Sequence, residues 1–215
     1  SSVVVSFPLR LTPLFASVMD VVRSGRLGTI NQVQAVHNIP YGGELFSSPF
    51  YREYDVGQGL WLQKATHDFD CLNQILGRPT GITAMMSRRV YGGHMPHDLR
   101  CSACDRTETC LESPQNVARR GDDGGVGAGD HLCLFTEGIR HQDAGSAIIM
   151  YEDGAHASYG QNFISRRTAA TRGAIITGYH ATASFDWYTD TVRVIEHHTD
   201  RVDEYRVTAA RTDHL

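Results

Sequence analysis

From about residue 131 onward the chain is nearly all strand, and before that it offers only two helices of useful length. This imbalance constrains the fold more than any other feature. Alternating apolar residues predict strands at His131–Thr136, Ser146–Tyr151, His156–Ile164, Ala174–Thr177, Thr191–Glu196 and Asp203–Thr208. Glu152-Asp153-Gly154 joins two of these as a hairpin turn. Strands joined by hairpins pair antiparallel. Two helices cannot cover both faces of so wide a sheet, so the expected fold is α+β, a large, mostly antiparallel, open-faced sheet with helices packed on one face. The other face must be solvated or covered by a partner. Ile148, Met150, Ile175, Val192 and Val194 supply more apolar positions than one buried face needs, which points to a homodimer or higher homo-oligomer.

The first half supplies the helices. An apolar strand is expected at Val3–Phe7. Thr12 is suited to cap a helix that has Pro13 at its first position, with Leu14, Phe15, Val18, Met19 and Val22 at helical spacing and Gly25 as the stop. A strand follows at 29–39, with Val33, Ala35 and His37 on one face, and then a loop over 40–59. A second helix is expected over 60–76, closed by Gly77, followed by a strand over 80–91. Residues 92–129 are expected to form an irregular insert in a single domain spanning 1–215. The chain opens inside a strand and lacks an initial Met, which suggests a piece of something longer.

Composition excludes several roles. Hydrophobic residues make up 41% and charged residues 20%, a globular balance. A net charge of −4 leaves no basic excess for nucleic acid. No run approaches the roughly 20 apolar residues of a membrane span. Five cysteines, an odd number with three close together, suit a reduced cytoplasmic protein better than a disulfide scaffold.

The second helix carries the most informative chemistry. At about 100° per residue, Trp61, Leu62, Ala65, Phe69, Leu72 and Leu76 share one face, while Gln63, His67, Asp70 and Gln74 share the opposite one. Lys64, the only lysine among twenty basic residues, lies one turn from His67. An imidazole titrates near neutrality and suits general acid or base work, although an ordinary solvated polar face has the same spacing. Cys101-x2-Cys104-x5-Cys110, with His97 upstream, could close a tetrahedral zinc site, or the thiols could simply pin a loop. The glycine-rich run Gly121–Gly129 follows no strand and opens no helix, so it is no dinucleotide fingerprint. Arg166, Arg167 and Arg172 are expected on an exposed turn.

Several segments, taken in order, resemble the C-terminal domain of the Gfo/Idh/MocA oxidoreductases. They are Phe7-Pro8-Leu9-Arg10-Leu11-Thr12-Pro13, Val22 through Ile30 with its Ser-Gly turn, Gly59 through Asp70, and Leu76-Gly77-Arg78-Pro79. The cysteine cluster and the hairpin at Glu152–Ala155 add to the likeness. The resemblance implies an NAD(P)-dependent enzyme acting on a sugar, polyol or inositol-like hydroxyl, with NAD or NADP bound by a Rossmann domain that this chain lacks. Alone, the chain would then be inactive. The resemblance gives His67 the family's catalytic position, with Lys64 assisting and Gln63, Asp70 and Arg10 at the substrate. Gln63 stands where many members carry an acidic residue. A non-catalytic binding or oligomerisation module is the alternative reading.

Overall fold

The computed structural model describes residues 5–121 and 129–208. A 3-10 turn at Pro8–Leu11 leads into helix α1 (Pro13–Arg23). The Thr12 hydroxyl accepts from the Phe15 amide and Pro13 supplies a preset φ, so the helix starts where its first orphan donors are met. Leu14, Phe15, Val18 and Met19 form its buried stripe. Of the expected opening strand, Val3 and Val4 lie outside the described residues, and Val5–Phe7 form no strand.

Strand β1 (Ile30–Asn38) is followed by three short helices, α2 (Gly42–Ser47), α3 (Pro49–Arg52) and α4 (Tyr54–Gly57), where a loop was expected. A π-helical turn at Trp61–Ala65 then runs into α5 (Thr66–Leu76), which Gly77 ends at φ +86°. The wider turn shifts the buried stripe. Leu62 is therefore exposed although the 3.6-residue period put it inward, and Asp68 and Asp70 are buried.

Strand β2 (Pro79–Ser87) precedes the insert, which holds a 3-10 turn at Cys101–Ala103 and helix α6 (Pro114–Arg120). Residues 122–128 of the glycine-rich run lie outside the described residues. His131–Thr136 is not a strand. It makes only single bridges, Leu132 to Arg100 and Thr136 to Met95, one antiparallel and one parallel, so no ladder extends from it.

The remaining strands are β3 (Ala144–Tyr151), β4 (His156–Asn162), β5 (Thr171–Gly178), β6 (Ala181–Asp186), β7 (Thr191–Glu196) and β8 (Val202–Arg206). They complete an eight-stranded sheet in the order β2-β3-β4-β1-β5-β6-β7-β8. Only β1 and β4 pair in parallel; every other pair is antiparallel. The fold is thus the expected α+β sheet. Helices α1 and α5 cover one face, burying Val33, Ile149, Ala157, Ile176, Val192 and Val194. Val192 and Val194 therefore belong to the core and not to the open face. A second core, with Ile39, Phe46, Leu60, Tyr91, Leu134 and Phe163, joins α2 to the insert. Among the described residues no helix is long and apolar enough to cross a membrane.

Candidate functional site

Helix α5 and the turn before it place the sequence-derived residues in two groups. In the first, Arg10 reaches from the 3-10 turn to form an ion pair with Asp70, sixty residues away, and its guanidinium also lies over the Phe7 ring at 5.5 Å. His67 meets the same Phe7 edge-on at 6.0 Å, and its Nδ1 is buried with no hydrogen-bond partner. Arg10 and Asp70, both expected at the substrate, are thus brought together as a pair, and the carboxylate is only 7% exposed and engaged by the arginine. Gln63 donates from Nε2 to the Gly57 carbonyl at 3.1 Å, which ties the π-helical turn to α4.

The second group surrounds Lys64. Its ammonium lies over the rings of Tyr41 and Tyr51 at 5.3 and 5.4 Å, a cation–π contact on both. Burial pushes the ammonium below its ordinary pKa, and the Arg172 charge adds to the shift. The short helices α2–α4 build this setting. Gly42 is pressed so close to the Phe163 carbonyl that a Cβ would run into it, which fixes Tyr41 and the start of α2.

Beside Lys64 lies a buried polar network that the spacing of motifs does not reveal. Asp68 Oδ2 accepts from His37 Nδ1 at 3.1 Å and from the Tyr159 hydroxyl at 2.8 Å. Asp68 Oδ1 accepts from Arg172 Nε at 2.9 Å and Nη2 at 2.8 Å. His37, fully buried, reaches the hydroxyl of Tyr188 through Nε2 at 3.2 Å. Burial pushes the Asp68 carboxyl up, but the His37 hydrogen bond and the Arg172 charge outweigh it and hold the group below the usual aspartate range. Burial pushes the His37 imidazole down despite Asp68, and burial also raises the Tyr188 phenol. Arg172 is therefore a strand β5 residue tied to the network, not the exposed turn arginine expected. The available signals in the sequence are slight: His37 falls on the core-facing set of β1, and Asp68 directly follows His67.

The cysteine cluster does not fit zinc. Among the described residues no three His, Cys, Asp or Glu side chains are grouped to hold a metal ion. His97 is turned away, with its ring nitrogens on the Glu53 carboxylate and the Glu137 carbonyl. Cys101 lies 3.7 Å from His131 Nδ1, and burial pushes its thiol up to about 12, which keeps it protonated. Cys104 and Cys110 are free thiols at partly buried positions.

The strand-to-helix passage from β1 to α2 carries Gly42-Gly43, but its helix has six residues and its first glycine packs against Phe163. It leaves no open helix N-terminus for a pyrophosphate.

Comparison with known proteins gives a consistent picture. A family model described as the GFO/IDH/MocA C-terminal domain matches residues 15–184. The Bacillus subtilis (strain 168) protein YteT, whose name assigns it to the oxidoreductases, is 26% identical over 180 residues, covering 73% of this chain and 42% of YteT. A structure of levoglucosan dehydrogenase in complex with NADH and levoglucosan shares the fold at a TM-score of 0.64 and 15% identity, covering 95% of this chain and 46% of that one. The super-repressor mutant of Gal80p from Saccharomyces cerevisiae shares it at 0.64 and 13%, covering 94% and 45%. The chain spans less than half the length of each.

Proposed function

The chain belongs to the Gfo/Idh/MocA family through its C-terminal domain, and from that premise we propose that it is the substrate-binding domain of an NAD(P)-dependent oxidoreductase acting on a CH–OH group of a sugar, polyol or inositol-like compound. The observation that carries this reading is Lys64. The only lysine of the chain sits half-buried between two tyrosines, one turn from His67 and next to a second, buried set of polar groups. Aromatic faces and hydrogen-bonding groups around a charged residue suit a small polyhydroxy ligand.

A nicotinamide, held by the part of the full-length protein outside this chain, would supply the hydride chemistry. What this chain contributes is the sugar pocket and the proton on the reacting hydroxyl. His67 takes or returns that proton with Lys64 as its helper, while the Arg10–Asp70 pair holds α5 in place beside the substrate and Gln63 anchors the turn before it. Five free thiols suit a cytoplasmic setting. A second copy covers the open sheet face.

The test is a turnover screen. Full-length protein is given NAD+ or NADP+ and a panel of sugars, polyols and inositols, and reduced nicotinamide is followed by absorbance. Turnover of at least one compound is expected, and none by the isolated 215-residue chain. Loss of turnover on all of them would overturn the reading. One feature favours a second reading, a non-catalytic binding module. Gln63 cannot carry charge and is engaged by Gly57, so His67 lacks an acidic residue four positions before it.

A further inference from the structure

The network around Asp68 has a fixed direction. Asp68 is held ionised and can only accept, so His37 Nδ1 must carry the proton that joins them. Arg172 already balances the Asp68 charge and His37 is fully buried, so His37 stays neutral with a bare Nε2, and the hydroxyl 3.2 Å away donates to it. That hydroxyl belongs to Tyr188, which is 41% exposed, whereas His37 and Asp68 are buried. With its hydrogen given to His37, the Tyr188 oxygen has only lone pairs left to offer a ligand. Tyr159 and Arg172 occupy the remaining positions on Asp68, so the carboxylate has no reason to turn away.

We propose that Tyr188, fixed by His37 and Asp68, is a specificity residue whose phenol oxygen accepts a hydrogen bond from a ligand hydroxyl and disfavours a carbonyl at the same place. This rests on the reading of the site as one for sugars or polyols. The ligand class follows from the polarity: an alcohol has a hydrogen to give and a ketone does not.

Two variants test it in the full-length protein, with binding measured by calorimetry for myo-inositol and its 2-keto form. Tyr188→Phe keeps the ring and removes the acceptor at a partly exposed position. It is expected to weaken myo-inositol by about tenfold and the ketone little. Asp68→Asn offers an amide hydrogen to His37 Nδ1, which moves the ring proton to Nε2 and turns the Tyr188 hydrogen outward. The preference for alcohol over ketone should then fall or reverse. Nitrogen-15 spectra of histidine-labelled protein give a readout besides binding. His37 should carry its proton on Nδ1 in the wild type at pH 7; a proton on Nε2 there would overturn the proposal.

Unchanged alcohol and ketone affinities in Tyr188→Phe would refute it while leaving the dehydrogenase reading in place. Polyol binding that depends on Tyr188, in a protein with no NAD(P)-linked turnover, would do the opposite. A wild type that binds neither compound would overturn the proposal.

Discussion

His67 and Asp68 are neighbours in sequence but serve different ends. His67 half-faces solvent beside Phe7, whereas Asp68 points inward to hold three elements together. In the full-length enzyme His67→Ala should lower kcat by about 10²–10⁴-fold, the span of a lost general acid or base. Its melting temperature should stay close to wild type. Wild-type turnover in the purified variant would remove His67 from the reaction. The buried pair predicts a pH effect. Folded His37 takes up a proton less readily than an unfolded imidazole, which titrates near 6.5. As pH falls below about 6.5 the unfolded state protonates first, so stability declines. Asp68 acts in the same direction further down: its contribution is full above about 3.9 and is lost as pH falls through the lower folded value. Urea titrations from pH 7 to 5 should show this decline, and His37→Asn should flatten it; a flat wild-type profile would count against a buried neutral His37. Lys64 and His67 were legible because one helical turn joins them. His37, Asp68, Arg172 and Tyr188 were not, because 31, 104 and 151 residues separate the bonded partners and only the folded sheet brings them together.

At the scale of the element, legibility followed capping and length. Helix α1 was readable because Thr12, Pro13 and an apolar stripe all give the same boundaries. Thr12 does more than cap: its hydroxyl donates to the Leu9 carbonyl at 2.8 Å and accepts from Trp187 Nε1 at 3.3 Å. Thr12→Ala should therefore cost about 1–2 kcal/mol, the upper part of the usual cap range. Denaturant titration checks this, and a loss of only a few tenths would mean that the contacts to Leu9 and Trp187 contribute nothing. Strand β6 escaped notice since Ala-Thr-Ala-Ser-Phe-Asp has little β-propensity; it is held by ladders to β5 and β7 on both sides. His131–Thr136 failed in the opposite way, with a strand-like pattern but no neighbouring strand to pair with. Helices α2–α4, of four to six residues, are too short for periodicity to register. Tyr41, just before α2, and Tyr51, on α3, lie over Lys64, so this wall of the candidate site stayed hidden while its lysine did not.

The whole molecule is two-sided: among the described residues, helices α1 and α5 pack on one face of the sheet and the other face has no helix on it. Met85, Ile148, Met150 and Ile175 stand 78%, 58%, 57% and 44% exposed there, beside Ser146, Ser158 and Gln34. Three of the four lie on β2 and β3, so the apolar surface is concentrated at one end of the sheet. That end also has the weaker edge. Strand β8 carries Asp203, Glu204 and Arg206, charges that discourage pairing with another chain, whereas β2 carries no charged residue from Pro79 to Ser87. An uncharged edge beside an exposed apolar patch is the surface that a partner would cover. A second copy is the simplest occupant, since a two-fold axis would bring the same patch to itself with the sheets about 10 Å apart. The interface should exceed roughly 1,000 Å². Sedimentation at micromolar concentration should therefore give twice the 23.8 kDa chain mass or more. The double variant Ile148→Lys/Met150→Lys should sediment as a monomer, with little loss of monomer stability because both side chains already face water. A wild type that remains near 23.8 kDa at its highest soluble concentration would rule out the sheet-face dimer.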